Sequence, residues 1–167
     1  RLASQRFQCQ LDGRRPFALR AHADLATRGG RLIVDEAFLD AEPDDSLAPL
    51  ATRPGLVVLR SIGKFFGLAG ARVGFVFAEA DLRAALAGLL GPWSVSGPAR
   101  AVAVRALADT HWQDHARACL GHAARRFARL LTRHGLAPLG LTALFVWMKF
   151  WQSLFALKIS AQLDRSE

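Results

Sequence analysis

The feature that most constrains this chain is one lysine, Lys64, set just after an apolar run and enclosed by small residues. The segment reads Ser61-Ile62-Gly63-Lys64-Phe65-Phe66-Gly67-Leu68-Ala69-Gly70-Ala71-Arg72-Val73-Gly74. The preceding run, Gly55-Leu56-Val57-Val58-Leu59-Arg60, is apolar without alternation, the pattern of a buried strand. Lys64 is therefore expected at the carboxyl end of a sheet strand, where open α/β sheets hold their ligands. Gly63, Gly67, Gly70 and Gly74 let backbone and ligand come close. A lysine amine becomes a useful nucleophile when a pocket desolvates it, which makes Lys64 a candidate for covalent chemistry.

A second block, Arg31-Leu32-Ile33-Val34-Asp35-Glu36-Ala37-Phe38, places the end of another apolar strand at Asp35, 29 positions before Lys64. Taken singly, these residues have ordinary readings. A lysine after a strand is usually solvated, Arg72 serves as an ion-pair partner and Asp35 caps a turn. Glu36 adjoins Asp35 and points to the opposite face if the strand continues, so structural pairing is its expected role.

The two blocks together resemble the class I/II aminotransferases, fold type I enzymes that use pyridoxal phosphate. The pattern S-x-x-K-x-x-G-L-x-G-x-R-x-G is similar to their cofactor-lysine motif, and Asp35-Glu36-Ala37-Phe38 to their strand ending in D-E-A-[YF]. The resemblance implies an α/β fold: the central part of a large domain, a mostly parallel sheet with flanking helices, then a helical segment leading into an incomplete small domain. It implies catalytic roles for Lys64, bonded to the cofactor aldehyde, and Asp35, a carboxylate that keeps the pyridine nitrogen protonated. Ser61 and Arg72 match positions that supply a hydroxyl and a guanidinium to the cofactor phosphate.

Phe38 stands at a cofactor-contacting position where many relatives carry a tyrosine. Gln10 stands where relatives have an asparagine that contacts the cofactor ring oxygen. Glutamine is one methylene longer and must retract its amide to make that bond. Within the family, Gly91-Pro92-Trp93-Ser94-Val95-Ser96-Gly97-Pro98-Ala99 and Arg60 to Gly67 are most similar to the threonine-phosphate decarboxylases of cobalamin biosynthesis. The histidinol-phosphate aminotransferases are the nearest contrast. By residue chemistry alone, Trp93 is a core anchor and the prolines punctuate helices.

The resemblance runs from about Asp12 to Phe145, and the stretch from Val146 onward does not look like small-domain strand. The expected division is a partial cofactor-binding domain over 1–91, a helical connection and start of the small domain over 92–145, and an atypical tail over 146–167. A family member is about twice as long as these 167 residues, so the chain is expected to be incomplete at both ends and inactive alone. The intact parent is expected to be a homodimer that binds a small phosphorylated amino acid. Loss of carbon dioxide from L-threonine O-3-phosphate, giving aminopropanol phosphate, is the reaction implied; transfer of an amino group is the alternative. A non-catalytic remnant or interaction module is the reading from another class.

Composition removes other classes. The 22 Lys and Arg against 14 Asp and Glu give a net charge of +8, but the arginines are scattered along alanine-rich stretches and there is no tyrosine to stack on bases. No nucleic-acid partner is expected. Cys9 and Cys119 lack C-x-x-C spacing, which points to a reducing cytoplasm rather than a disulfide framework. The basic start is followed by no apolar signal segment, and the apolar stretch 143–157 is interrupted and shorter than the ~20 residues that cross a bilayer. His111, His115, Cys119 and His122 share a helix face, yet that face spans about 16 Å at ~1.5 Å per residue, too far for all four to converge on one metal ion. No metal is expected, and no G-x-S-x-G hydrolase elbow occurs.

For secondary structure, the sequence predicts a helix over 16–27, strands ending at Asp35, over 56–59 and over 73–77, and a short helix near 46–51. Mostly helical chain follows to His134, broken near Gly91-Pro92 and Gly97-Pro98. The orientation of the strand after the lysine loop is left open by pattern alone.

Overall fold

A computed structural model describes residues 14–148 of the chain. Gln10 and Cys9, and the tail from residue 149, lie outside the described residues. Contacts group the described residues up to His115 in one compact unit and those from Ala116 in a second.

The first unit is built on a three-stranded sheet. Helix α1 (Arg14–Ala26) leads into β1 (Leu32–Asp35); three 3-10 turns at Leu39–Ala41, Pro43–Asp45 and Ala48–Leu50 lead into β2 (Leu56–Ser61). β1 and β2 are parallel, pairing Leu32 with Leu56 and Asp35 with Leu59. That register puts Leu32, Val34, Leu56 and Val58 on one face. There Leu56 and Val58 are buried with Leu47 and Ala51, and Ala18 and Leu19 of α1 pack against them. The expected short helix near 46–51 is thus a 3-10 turn whose Leu47 and Ala51 complete this core.

β3 (Gly74–Phe77) pairs antiparallel with β2, Ser61 opposite Gly74 and Val58 opposite Phe77. This settles the orientation that the pattern leaves open, and the described sheet has one parallel and one antiparallel pairing. The physical reason lies in the connection: between Ser61 and Gly74 the chain makes turns and one 3-10 turn at Ala69–Ala71, with no α-helix to carry it back across the sheet.

Helices α2 (Ala80–Leu90) and α3 (Gly97–Ala108) follow. Ser96 caps α3, its Oγ accepting from the Ala99 N–H at 3.3 Å, with proline in the first turn. Trp93 is 90% exposed in the connection between them, so the expectation of a core anchor is corrected. Helix α4 (Thr110–Arg133) starts afresh after Asp109, whose Oδ1 accepts from the Trp112 N–H at 2.9 Å. No described helix is long and apolar enough to cross a membrane.

In the second unit α4 ends at Gly135, whose φ of +75° lets the Leu136 N–H reach back to the Leu131 carbonyl at 2.9 Å. β4 (Pro138–Leu141) and β5 (Val146–Met148) then form an antiparallel hairpin. The stretch starting at Val146 was not expected to be strand. Its Val-Trp-Met run suits a pleated surface, and Thr142 closes the turn by accepting from the Phe145 N–H at 3.0 Å.

Candidate active site

The end of the β1–β2 pair carries Asp35 and Ser61, with Phe38 and Lys64 just beyond the two strand ends. On the face opposite the packed core, alternation carries Ile33 and Asp35 on β1, and Val57, Leu59 and Ser61 on β2. Asp35 is exposed there. Its Oδ1 accepts from the Ala37 N–H at 2.9 Å, an Asx-type turn that fixes the carboxylate, while Oδ2 takes no hydrogen bond within the described residues.

Glu36 goes the other way, as expected from strand alternation. It is buried, Oε2 accepting from the Ser46 hydroxyl at 2.7 Å and Oε1 from the Leu47 N–H at 2.6 Å. Two adjacent carboxylates thus divide their work. One is spent inside the fold and the other stays open at the strand end.

Beyond β2 the chain must present Lys64 to solvent while holding its backbone still. Ile62, Phe65 and Phe66 are buried around it, and the Gly67 N–H closes a turn onto the Lys64 carbonyl at 3.0 Å. Phe65 and Phe66 meet edge to face at 5.0 Å, and Trp112 of α4 stacks on Phe66 at 5.8 Å between ring centroids. Lys64 itself is exposed, and its Nζ lies 5.2 Å from the centroid of the Phe38 ring. That distance allows a cation–π contact.

Ser61 Oγ accepts from the Gly63 N–H at 3.0 Å, which leaves the hydroxyl hydrogen to donate elsewhere. A Cβ at position 63 would stand 3.1 Å from that Oγ and 3.3 Å from the Ala69 Cα, so glycine is what lets this turn close. Arg72 caps the following 3-10 turn in the left-handed region, φ 52° and ψ 43°. It is exposed, and its guanidinium has no hydrogen bond or ion pair among the described residues.

The structure therefore brings Lys64 to Phe38, puts Asp35 and Ser61 on one face, and sets Arg72 two residues before Gly74, the strand partner of Ser61. It shows no direct contact from Arg72 to the other candidates among the described residues. What the sequence reading left unassigned is Arg60, whose guanidinium pairs with the nearly buried Asp40 on the packed side. The signal was its place between Leu59 and Ser61, which alternation sends toward the core side. Among the described residues, no group of three or more His, Cys, Asp or Glu is arranged to hold a metal ion. Chemically, the exposed cations and the hydroxyl suit an anion, and the fixed Asp35 carboxylate suits a protonated nitrogen.

Comparison with known proteins decides the family. Residues 17–163 match the family profile described as aminotransferase class I and II. The chain belongs to this family. The match extends past Phe145, where the sequence reading ends the resemblance. A threonine-phosphate decarboxylase of Pseudomonas aeruginosa is 56% identical over 124 residues, covering 74% of this chain and 38% of that protein. One from Sinorhizobium sp is 48% identical, covering 71% of this chain and 35% of that protein. Among solved structures, the histidinol-phosphate aminotransferase of Sinorhizobium meliloti in complex with pyridoxal-5'-phosphate aligns with a TM-score of 0.66 at 27% identity, covering 76% of this chain and 36% of that one. The chain thus spans a little over a third of the length of these relatives. The α/β fold expected of a fold type I large domain is the one found.

Proposed function

We propose that the protein carrying this chain is a pyridoxal-phosphate-dependent enzyme that removes carbon dioxide from L-threonine O-3-phosphate, leaving aminopropanol phosphate for cobalamin biosynthesis. The observation that carries this reading is the 56% identity to a threonine-phosphate decarboxylase over 124 residues, 74% of this chain. The local geometry fits the cofactor. Lys64 is an exposed amine, Asp35 Oδ2 is open to a pyridinium nitrogen, and the Ser61 hydroxyl and Arg72 guanidinium have donors to spare for a phosphate.

When bound, the cofactor supplies an electron sink for the bond broken at Cα. The residues of this chain then have distinct tasks. Lys64 Nζ would attach the cofactor and, when freed by substrate, would be the group to return a proton to Cα. Asp35 holds the ring nitrogen protonated, and the Ala37 N–H holds Asp35. Ser61 and Arg72 fix the phosphate, and the Phe38 ring gives Lys64 an apolar neighbour.

The second reading is an amino transfer of the histidinol-phosphate type. It is favoured by the solved-structure match above and by a Saccharomyces cerevisiae histidinol-phosphate aminotransferase, 40% identical over 83 residues and covering 49% of this chain and 21% of that protein. The two reactions would use the groups named here and differ in which bond at Cα is broken. Incubating the full-length protein with cofactor and L-threonine O-3-phosphate separates them. Carbon dioxide release without a 2-oxo acid acceptor supports the decarboxylase. Amino transfer to an acceptor without carbon dioxide supports the second reading, and neither product overturns both.

A further inference from the structure

We infer that the Arg60–Asp40 ion pair is a positioning device that ties the strand end carrying Asp35 and Phe38 to the strand end carrying Ser61 and Lys64. The inference rests on the cofactor reading above. Arg60 lies on β2 between Leu59, which faces Asp35 across the parallel pair, and Ser61, the expected phosphate contact. Its guanidinium crosses to Asp40 on the packed side, where its own side chain is 21% and that of Asp40 9% exposed.

The segment between is held at both ends. Glu36 anchors one end through Ser46 and Leu47, and its N–H donates to the Leu59 carbonyl at 2.7 Å; Asp40 anchors the other through Arg60. Between these anchors lie Ala37, whose N–H orients Asp35, and Phe38, whose ring faces Lys64 Nζ. A shift of the 36–40 segment along β2 would therefore move Asp35 and Phe38 together relative to Lys64.

Stability alone is a poor explanation for the pair. Removing two charges from water offsets most of their attraction, and an apolar replacement of similar volume is often no less stable. What such a pair adds is a fixed distance, here between the two loops that must face one cofactor. Arg60 touches neither substrate nor cofactor in this account and acts through the loop it holds.

The test uses the full-length protein loaded with pyridoxal phosphate and the variants Arg60→Met, Arg60→Lys and Asp40→Asn. Borohydride reduction of the unmodified protein must first label Lys64. Absence of that label overturns the cofactor reading, and this inference with it. With the label in place, Arg60→Met leaves Asp40 buried without its Arg60 ion pair and is expected to lower the melting temperature. At a temperature where the variant is folded it should also weaken cofactor binding about tenfold and move the pH midpoint of the visible absorption band, since a misplacement of ~1 Å can cost on the order of a hundredfold in rate. Arg60→Lys, which keeps the charge, should recover part of both. If Arg60→Met does not fold, Asp40→Asn is read in its place. Cofactor affinity and band midpoint unchanged from the unmodified protein, in whichever variant folds, overturn the inference and leave the pair a structural contact only.

Discussion

Lys64 Nζ lies 5.2 Å from the centroid of Phe38, so residues from the ends of two adjacent parallel strands meet above the sheet edge. The contact joins the two sequence blocks that are 29 positions apart in the chain. It also gives Phe38 a role that needs no hydroxyl: its ring face lies against the amine, where a tyrosine would offer the same surface.

Reduction with borohydride in the presence of pyridoxal phosphate should place the pyridoxyl group on Lys64, found by peptide mapping, with Lys149 and Lys158 unlabelled. Lys64→Ala should abolish the visible band. An even spread of label over the three lysines would show that Lys64 is not distinguished.

Asp35 and Glu36 should separate function from folding. Glu36→Ala strands a buried hydroxyl and a buried N–H, and at ~1–3 kcal/mol for each unmade bond it should cost about 2–6 kcal/mol in denaturant unfolding. Asp35→Ala should change stability by less than about 1 kcal/mol, since its side chain is exposed, yet weaken cofactor binding markedly. Equal losses of stability in the two variants would contradict the division.

How far the sequence already contained this arrangement differs by residue. The two strand ends and the place of Lys64 just beyond the second were legible because one apolar run stops at Asp35 and the other at Arg60, with Gly63 close behind; the exposure of Lys64, in place of the expected desolvation, was not. The opposite facing of Asp35 and Glu36 was legible from alternation. The antiparallel turn of β3 was not, since strand orientation is set by the path of the 62–73 connection rather than by local pattern. The break between α3 and α4 was missed although Asp109 carries an N-cap signal, because no glycine or proline marks it. Residue chemistry alone favours a core place for Trp93 because a large aromatic is usually buried, and only the fold shows it in an exposed connection. The Arg60–Asp40 pair joins residues 20 apart, and such a pairing has no sequence periodicity to announce it.

At Gly63 a methyl group has little room. Gly63→Ala should push the Ser61 hydroxyl or the Ala69 backbone aside by a few tenths of an ångström. Weaker cofactor binding at nearly unchanged melting temperature is the expected result, read by titration of the visible band. Binding as tight as in the parent would show that the Ser61 turn plays no part.

Arg72 is the non-glycine residue with positive φ among the described residues, and that conformation costs ~1 kcal/mol or so for a side chain. Arg72→Gly removes the strain but also loosens the unfolded chain, so stability should change by less than about 1 kcal/mol. Cofactor affinity should fall, and added inorganic phosphate should compete less well in the variant. Unchanged affinity would remove Arg72 from the site.

β2 is paired on both sides, whereas β1 and β3 each border it on one side in the described sheet. Backbone amides of a doubly paired strand exchange with solvent only when the whole unit opens, while those of its neighbours exchange through smaller fluctuations. Ser61 and Lys64 are thus attached to the slowest-opening strand, and Asp35 and Arg72 to its faster-opening neighbours. In deuterium uptake, protection should decline from Val58 toward Asp35 and Gly74. If Lys64 and Asp35 hold the cofactor as proposed, a partly opened protein would keep the lysine attachment after losing the carboxylate, so reactivity should fade on warming before the cofactor is released.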